Sequence, residues 1–95
     1  MRYRVRLSKQ IQRQMARLPG NIRNQVKNRI LTLRDVPRPQ DARELTGHPG
    51  FFRVWLDRDF RLVWQVDDEA ELVDVLYAGP KSDDLYGTLG LGRPQ

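Results

Sequence analysis

The hydrophobic period of this chain changes from helical to strand spacing in its middle, and that change limits the folds open to it. Apolar residues recur at helical spacing from Ile11 to Leu33 and at strand spacing from Phe51 onward. The first part carries two stripes: Ile11, Met15 and Leu18 at i, i+4, i+7, then Ile22, Val26, Ile30 and Leu33. Pro19-Gly20 separates them. Ser8 offers an N-cap to the first helix and Asn21 to the second. Val36-Pro37-Arg38-Pro39 ends the second helix, because each proline restricts the residue before it. Residues 8–36 are therefore predicted to form a helical hairpin. Ahead of it, Tyr3, Val5 and Leu7 alternate with Arg4 and Arg6, which predicts a half-buried strand with a basic outer face.

Residues 37–50 read as a loop, with one short turn over Ala42–Leu45 and a tight turn at Gly47-His48-Pro49-Gly50. Two strands follow, Phe51–Leu56 and Phe60–Val66, joined at Asp57-Arg58-Asp59. A three-residue loop pairs Leu56 with Phe60. It puts Phe52, Val54, Leu56, Phe60, Leu62 and Trp64 on one face, and Arg53, Trp55, Arg61 and Val63 on the other. A two-residue loop would bury Arg61 among apolar neighbours, where an unpaired charge is costly. The three-residue loop also sets Trp55 opposite Arg61, within cation–π reach. Beyond the acidic turn Asp67-Asp68-Glu69-Ala70, Leu72–Ala78 is nearly continuously apolar, as in a central strand covered on both faces. Gly79-Pro80 should break that strand. Lys81–Leu89 reads as a short helix or turn, and residues 90–95 as a frayed tail. The expected fold is α+β, one domain over residues 1–95. An N-terminal strand and a two-helix hairpin precede a three-stranded antiparallel meander, with the helices on one face of a single twisted sheet.

Ninety-five residues suit one core of modest size. The chain has no Cys, which excludes a disulfide scaffold, a cysteine nucleophile and a zinc finger. Its one His, His48, lies in the Gly-Pro turn and reads as a turn residue. Asp67, Asp68 and Glu69 read as solvated hairpin acids. No metal or cofactor is expected. No apolar run is long enough to span a membrane, and the basic N-terminus lacks the apolar region of a signal peptide, so the cytoplasm is the expected compartment. Charge is unevenly placed. Residues 1–34 hold ten Lys or Arg and no acid, whereas residues 35–95 hold seven Lys or Arg and twelve acids. Lys9, Arg13 and Arg17 lie opposite the first stripe, and Arg23, Lys27 and Arg34 flank the second. Such a surface suits a polyanionic partner, nucleic acid or an acidic protein.

The stretch Glu44-Leu45-Thr46-Gly47-His48-Pro49-Gly50-Phe51-Phe52-Arg53-Val54-Trp55-Leu56, followed by Phe60-Arg61-Leu62-Val63-Trp64-Gln65-Val66, resembles the RelE/ParE superfamily of bacterial toxin–antitoxin toxins. The family has a Leu-x-Gly turn, an aromatic-basic-apolar strand and an aromatic-Arg-aliphatic-aromatic strand. Gly79–Tyr86 is similar to its C-terminal basic-then-Tyr element. The likeness follows the whole chain in order and is best over residues 44–86. It is closer to RelE-type ribosome-dependent mRNA endonucleases than to gyrase-directed ParE. The resemblance implies that Arg53, Arg61, Lys81 and Tyr86 are the catalytic residues. Trp55 stands where the family carries a second Lys.

Metal-free RNA cleavage requires an activated 2′-hydroxyl, stabilisation of the phosphorane and protonation of the leaving 5′-oxygen. Arg53 and Arg61 stay protonated, so they suit phosphate clamping rather than base catalysis. Lys81 fits a phosphate clamp or an acid/base, and Tyr86 fits stacking on a base or orienting the 2′-hydroxyl. Trp55 offers a stacking surface for RNA. Lys9, Arg13, Arg17, Arg23, Lys27 and Arg34 are the expected contacts to RNA or the ribosome. The implied partners are a cognate antitoxin, in a hetero-oligomer, together with the ribosome and mRNA, and no membrane. Leu31 points away from the second stripe and is a candidate antitoxin contact. Two other functions fit the same residues: a non-catalytic toxin of this fold that binds a protein such as DNA gyrase, and a nucleic-acid-binding module without toxicity.

Overall fold

The computed structural model describes residues 2–92. Eight elements follow in order: β1 (Arg4–Arg6), α1 (Lys9–Ala16), α2 (Gly20–Leu33), β2 (Arg43–Glu44), β3 (Phe51–Leu56), β4 (Phe60–Asp67), β5 (Leu72–Pro80) and α3 (Leu85–Thr88). They form the expected α+β architecture with one sheet, ordered β1-β5-β4-β3-β2. β1 runs parallel to β5, and the other pairs are antiparallel. β2 is an addition to the expected meander. Its two residues pair Arg43 with Arg53 and Glu44 with Phe52, where a loop and turn were expected. The 45–51 turn closes this hairpin through Leu45 N–H to the Phe51 carbonyl at 2.8 Å. Gly50 takes φ +88°, a conformation that glycine adopts without a Cβ penalty.

The helices arise as their stripes predict. Ser8 caps α1, its hydroxyl accepting from Ile11 N–H at 3.2 Å. Asn21 does not cap α2. That helix begins at Gly20 with Pro19 in the cap position and no side-chain cap bond, because proline already holds the φ a helix entry needs. It ends at Leu33 rather than at residue 36. Ile11, Leu18, Ile22, Val26, Ile30 and Leu33 are buried in one cluster with Phe52, Val54, Leu56, Leu62, Trp64 and Val66. Both helices therefore cover the same face of the sheet. Trp64 is fully buried, and its indole N–H donates to the Pro37 carbonyl at 3.0 Å, which pins the connection leaving α2.

The β3–β4 register is the one set by a three-residue turn: Leu56 faces Phe60, and Trp55 faces Arg61. Asp57 absorbs the turn in the left-handed region at φ +64°, which Asp tolerates better than most residues. β5 departs from expectation twice. It continues through Gly79 and Pro80, which pair with Arg61 and Phe60, because a proline at the last rung removes no interior ladder bond. Its register also slips, with Val63 facing Tyr77 and Trp64 facing Val75, so Leu76 is an extra residue. Val73, Val75 and Ala78 consequently point to the helix side, while Tyr77 joins a second, smaller cluster on the far face. That cluster holds Leu45, Val63 and Leu85, with Phe51, Tyr86, Leu89 and Leu91 against it.

The end of the described chain is anchored. After α3, Gly90 adopts φ +72°, Gly90 N–H bonds the Gly87 carbonyl at 3.1 Å and Leu91 N–H bonds the Tyr86 carbonyl at 2.8 Å. This is a glycine-terminated helix end of the Schellman type, with Leu91 as its apolar contact. Residues 90–92 are thus part of the fold and not a frayed tail; residues 93–95 lie outside the described part.

The two tryptophans should behave oppositely. Trp64→Ala removes a fully buried indole and should cost about 3–5 kcal/mol. Trp55→Ala, on the exposed face, should cost less than about 1 kcal/mol. Urea unfolding midpoints at constant m-value check this.

Candidate functional site

Alternation along β3 and β4 sends Arg53, Trp55 and Arg61 to the sheet face away from the helices. Arg53 faces Val63 and Trp55 faces Arg61, so the two arginines are diagonal neighbours. The β5 slip brings Gly79 beside Arg61 on this face. From there the chain leaves the sheet, and Lys81 N–H bonds the Asp59 carbonyl of the β3–β4 turn at 2.7 Å. Lys81 is thereby held at the same end of the sheet. α3 folds back over Leu45 and Val63 and brings Tyr86 to the site.

The result is a cavity of about 550 Å³ whose lining includes Arg53, Arg61, Lys81 and Tyr86. The four residues implied by the resemblance meet in one place. Thr46, Ser82, Asp83 and Asp84 share the lining. The two aspartates were not foreseen, and the concavity is not purely basic. Asp84 serves the fold, since its carboxylate caps α3 by accepting from Gly87 N–H at 3.1 Å. Tyr86 is half-buried. Its hydroxyl donates to the Thr46 carbonyl at 3.3 Å, and its ring lies 5.3 Å from that of His48, tilted by 35°. His48 sits in the turn as expected, yet it also packs edge-on against Phe51 and bonds the Gly92 carbonyl, so it props the wall that carries Tyr86.

Arg61 is the electrostatic centre of the site. Its guanidinium lies 4.2 Å from the centroid of the Trp55 ring, as the register predicted. Burial, and secondly the charge of Arg53, push its pKa down from the usual arginine value. Its Nε is buried without a hydrogen-bond partner. Among the described residues, no ion pair neutralises Arg53, Arg61 or Lys81. A buried, unsatisfied donor beside a second cation costs stability, and an anion bound in the cavity would offset the repulsion between the two arginines.

Trp55 does not wall this cavity. It is 46% exposed and lines an adjoining groove together with Arg43, Arg53 and Arg61. Arg43 is a site-face cation that the sequence does not mark, because it sits on a two-residue strand. A two-residue strand has no periodicity to detect.

The basic residues of α1 and α2 lie on the helix side, whereas Arg6 of β1, between core-facing neighbours, lies on the opposite face. Their charge is partly answered by the acidic half of the chain. Arg6 pairs with Asp74 at 2.7 Å, Arg29 with Asp41, and Arg2 with Asp35 at 3.5 Å. Arg23 is not a free cation of the helix flank. Its guanidinium donates to the carbonyls of Met15, Ala16 and Leu18, the closest at 3.0 Å, and so closes the end of α1. Lys9, Arg13, Arg17, Lys27 and Arg34 are exposed. So is Leu31, at 58%. Asp68 of the acidic turn holds Arg38 at 2.9 Å and Tyr3 at 2.6 Å, and Asp67 accepts from Ala70 N–H. Among the described residues, no group of three or more His, Cys, Asp or Glu is placed to hold a metal ion. No helix there is long and apolar enough to cross a membrane.

No protein-family model and no curated protein matches the sequence. Solved structures do match in fold. The free Escherichia coli toxin RelE, as a double mutant, superposes with a TM-score of 0.78 at 24% identity, over 95% of this chain and 96% of that one. The Pyrococcus horikoshii RelE–RelB complex gives 0.74 at 24%, over 87% and 99%. The intact Escherichia coli RelBE toxin–antitoxin complex gives 0.72 at 25%, over 84% and 98%. The fold of this chain is the RelE fold.

Sulfate or phosphate should raise the unfolding temperature of the wild type, since an anion at a hundred times its Kd adds about 2.7 kcal/mol. Arg61→Ala should itself change stability by less than about 1 kcal/mol and abolish that gain. Equal anion stabilisation of both proteins, read by calorimetry, contradicts an anion site at Arg61.

Proposed function

We propose that this chain is the toxin of a toxin–antitoxin pair and that it cleaves mRNA in the ribosomal A site. The observation that carries the reading is the unsatisfied, unpaired Arg61 guanidinium in a cavity shared with Arg53, Lys81 and Tyr86. That combination fits a phosphodiester whose charge grows in the transition state. The RelE fold, and its occurrence in complexes with antitoxins, support the toxin role and an antitoxin partner in a hetero-oligomer.

The reaction follows from the residue types. The 2′-oxygen attacks the adjacent phosphorus in line, its proton passes to a base, the bond to the 5′-oxygen breaks, and that oxygen takes up a proton. Arg53 and Arg61 hold the non-bridging oxygens and stabilise the extra negative charge. Lys81 and Tyr86 are the groups of the set able to move a proton, and they line the same cavity as the two arginines. The charge the protein already carries supplies the stabilisation, so no step calls for a metal. On the other side of the sheet, Lys9, Arg13, Arg17, Lys27 and Arg34 form the exposed basic surface that would grip ribosomal RNA. Arg23 is better assigned to the end of α1.

Arg61→Ala should abolish growth inhibition at equal expression while leaving the fold intact. Tyr86→Phe should lower mRNA cleavage more than ribosome binding, because it removes one hydroxyl and little contact area. Ribosome affinity of the wild type should fall steeply with salt. Reversing Arg13 and Arg17 to Glu should flatten the slope of log K on log salt by about 0.7–0.9 for each phosphate no longer neutralised. A toxic Arg61→Ala variant overturns the site. Inhibition without cleavage transfers the activity to a protein target.

A further inference from the structure

The face that carries Arg53 and Arg61 extends past the first cavity toward the β2 edge. There a groove of about 350 Å³ is lined by Gln40, Asp41, Arg43, Arg53, Trp55 and Arg61. Its size falls in the range of about 300–1,000 Å³ that encloses small ligands. Arg53 and Arg61 line both spaces, so a polymer held on them in the first cavity continues into the second. Arg43 stands directly opposite Arg53 in the β2–β3 ladder, and Arg61 is diagonal to Arg53 across β3 and β4. Three guanidinium groups thus cross three neighbouring strands. Like charges directly opposed in a ladder are destabilising. Arg43 and Arg53 form no ion pair among the described residues. The acid of the groove, Asp41, is held by Arg29, whose hydrogen bonds keep its carboxyl below the usual range. What remains at the groove is a row of cations and one exposed indole. Stacking on a flat ring combined with backbone neutralisation is how single-stranded nucleic acid is bound without base pairing.

We propose that this groove is a nucleotide subsite. Trp55 stacks on the unpaired base next to the scissile phosphate, and Arg43 together with Arg53 holds that nucleotide's own phosphate. The proposal rests on the reading of the first cavity as an RNA-phosphate site and names what lies beside it. The ligand is a single-stranded ribonucleotide segment, since a base inside a duplex offers no free face. Stacking accepts any base. Gln40, whose amide both donates and accepts, is the groove residue suited to reading a base edge. Trp55 also supports Arg61 from the side, so a protein variant alone does not separate stacking from positioning. Removing the base from the ligand does.

The test uses the intact chain and a non-cleavable tetranucleotide carrying 2′-deoxyribose at the scissile position, with a series in which each base in turn is replaced by an abasic sugar. Fluorescence anisotropy of a dye on the oligonucleotide's 3′ end reports binding, so the readout is the same for the wild type and for variants that lack the exposed Trp55. For the wild type, one abasic position should weaken binding by about 5- to 150-fold, the fold-change that matches loss of one stacked base. The same abasic ligand should bind Trp55→Ala as well as the parent does, and Trp55→Phe should restore the difference. Arg43→Ala should weaken parent and abasic ligands equally. Parent and abasic ligands of equal affinity for the wild type overturn the subsite, as does an abasic penalty that survives in Trp55→Ala, or absence of binding by the wild type. If Trp55→Ala leaves every oligonucleotide affinity unchanged but weakens a protein partner, the groove is a protein contact and the subsite is wrong. Arg61→Ala keeps the two readings apart. Parent and abasic ligands of equal affinity, both lost in Arg61→Ala, leave the first cavity standing and remove only the subsite. Affinity independent of Arg61 removes both.

Discussion

The pairing of Leu56 with Phe60 across a three-residue turn decides which side chains meet in this protein. In a strand, one step of register exchanges the two faces. With this pairing, Phe52, Val54, Leu56, Leu62 and Trp64 close the core against the helices, and Arg53, Trp55 and Arg61 share the opposite face. A core that excludes charge and a face that concentrates it are therefore the same structural fact. The β5 slip at Leu76 completes the arrangement. It turns Tyr77 and Gly79 to the site face while Val73, Val75 and Ala78 stay in the core. Gly79 brings no side chain between Arg61 and the departing Lys81 segment.

The site face is held at some cost to stability. Two arginines are neighbours, one of them has a buried Nε without a partner, and Lys81 joins them without an ion pair among the described residues. Elsewhere the chain does the reverse. Arg2, Arg6, Arg29 and Arg38 each find an aspartate, and Arg23 finds the carbonyls at the end of α1. The unpaired cations of α1 and α2 are solvated on an exposed surface, whereas Arg61 at the sheet end is partly buried and unpaired. A local violation of charge and hydrogen-bond satisfaction inside an otherwise consistent structure marks a place shaped by a ligand.

Much of this was legible in the sequence where a strong period or a strict exclusion applied. The helix stripes follow from apolar spacing, and the β3–β4 register and the Trp55–Arg61 contact follow from where an arginine cannot be buried. The convergence of Arg53, Arg61, Lys81 and Tyr86 came from the family resemblance. Features that rest on a single residue were not legible. The Leu76 bulge is hidden in an apolar run that fits either face. β2 is too short to alternate, and Arg43 went unnoticed with it. Asn21 looks like a helix cap, but Pro19 takes the cap position and the helix begins at Gly20. Asp83 and Asp84 reach the cavity only because α3 folds back, and His48 supports Tyr86 through a contact between distant parts of the chain.

The central claim is that cations on the sheet face drive attack of a 2′-hydroxyl on its own phosphodiester. The chemistry of the cut ends tests it most directly. In a reconstituted translation reaction, mRNA cleaved by this protein should carry a 2′,3′-cyclic phosphate or its 3′-phosphate product on the upstream fragment and a 5′-hydroxyl on the downstream one. Both ends should disappear with Arg61→Ala. A 3′-hydroxyl with a 5′-phosphate would mean that water rather than the 2′-oxygen attacks, and intact mRNA would mean that the cavity binds without cutting; either result contradicts the account.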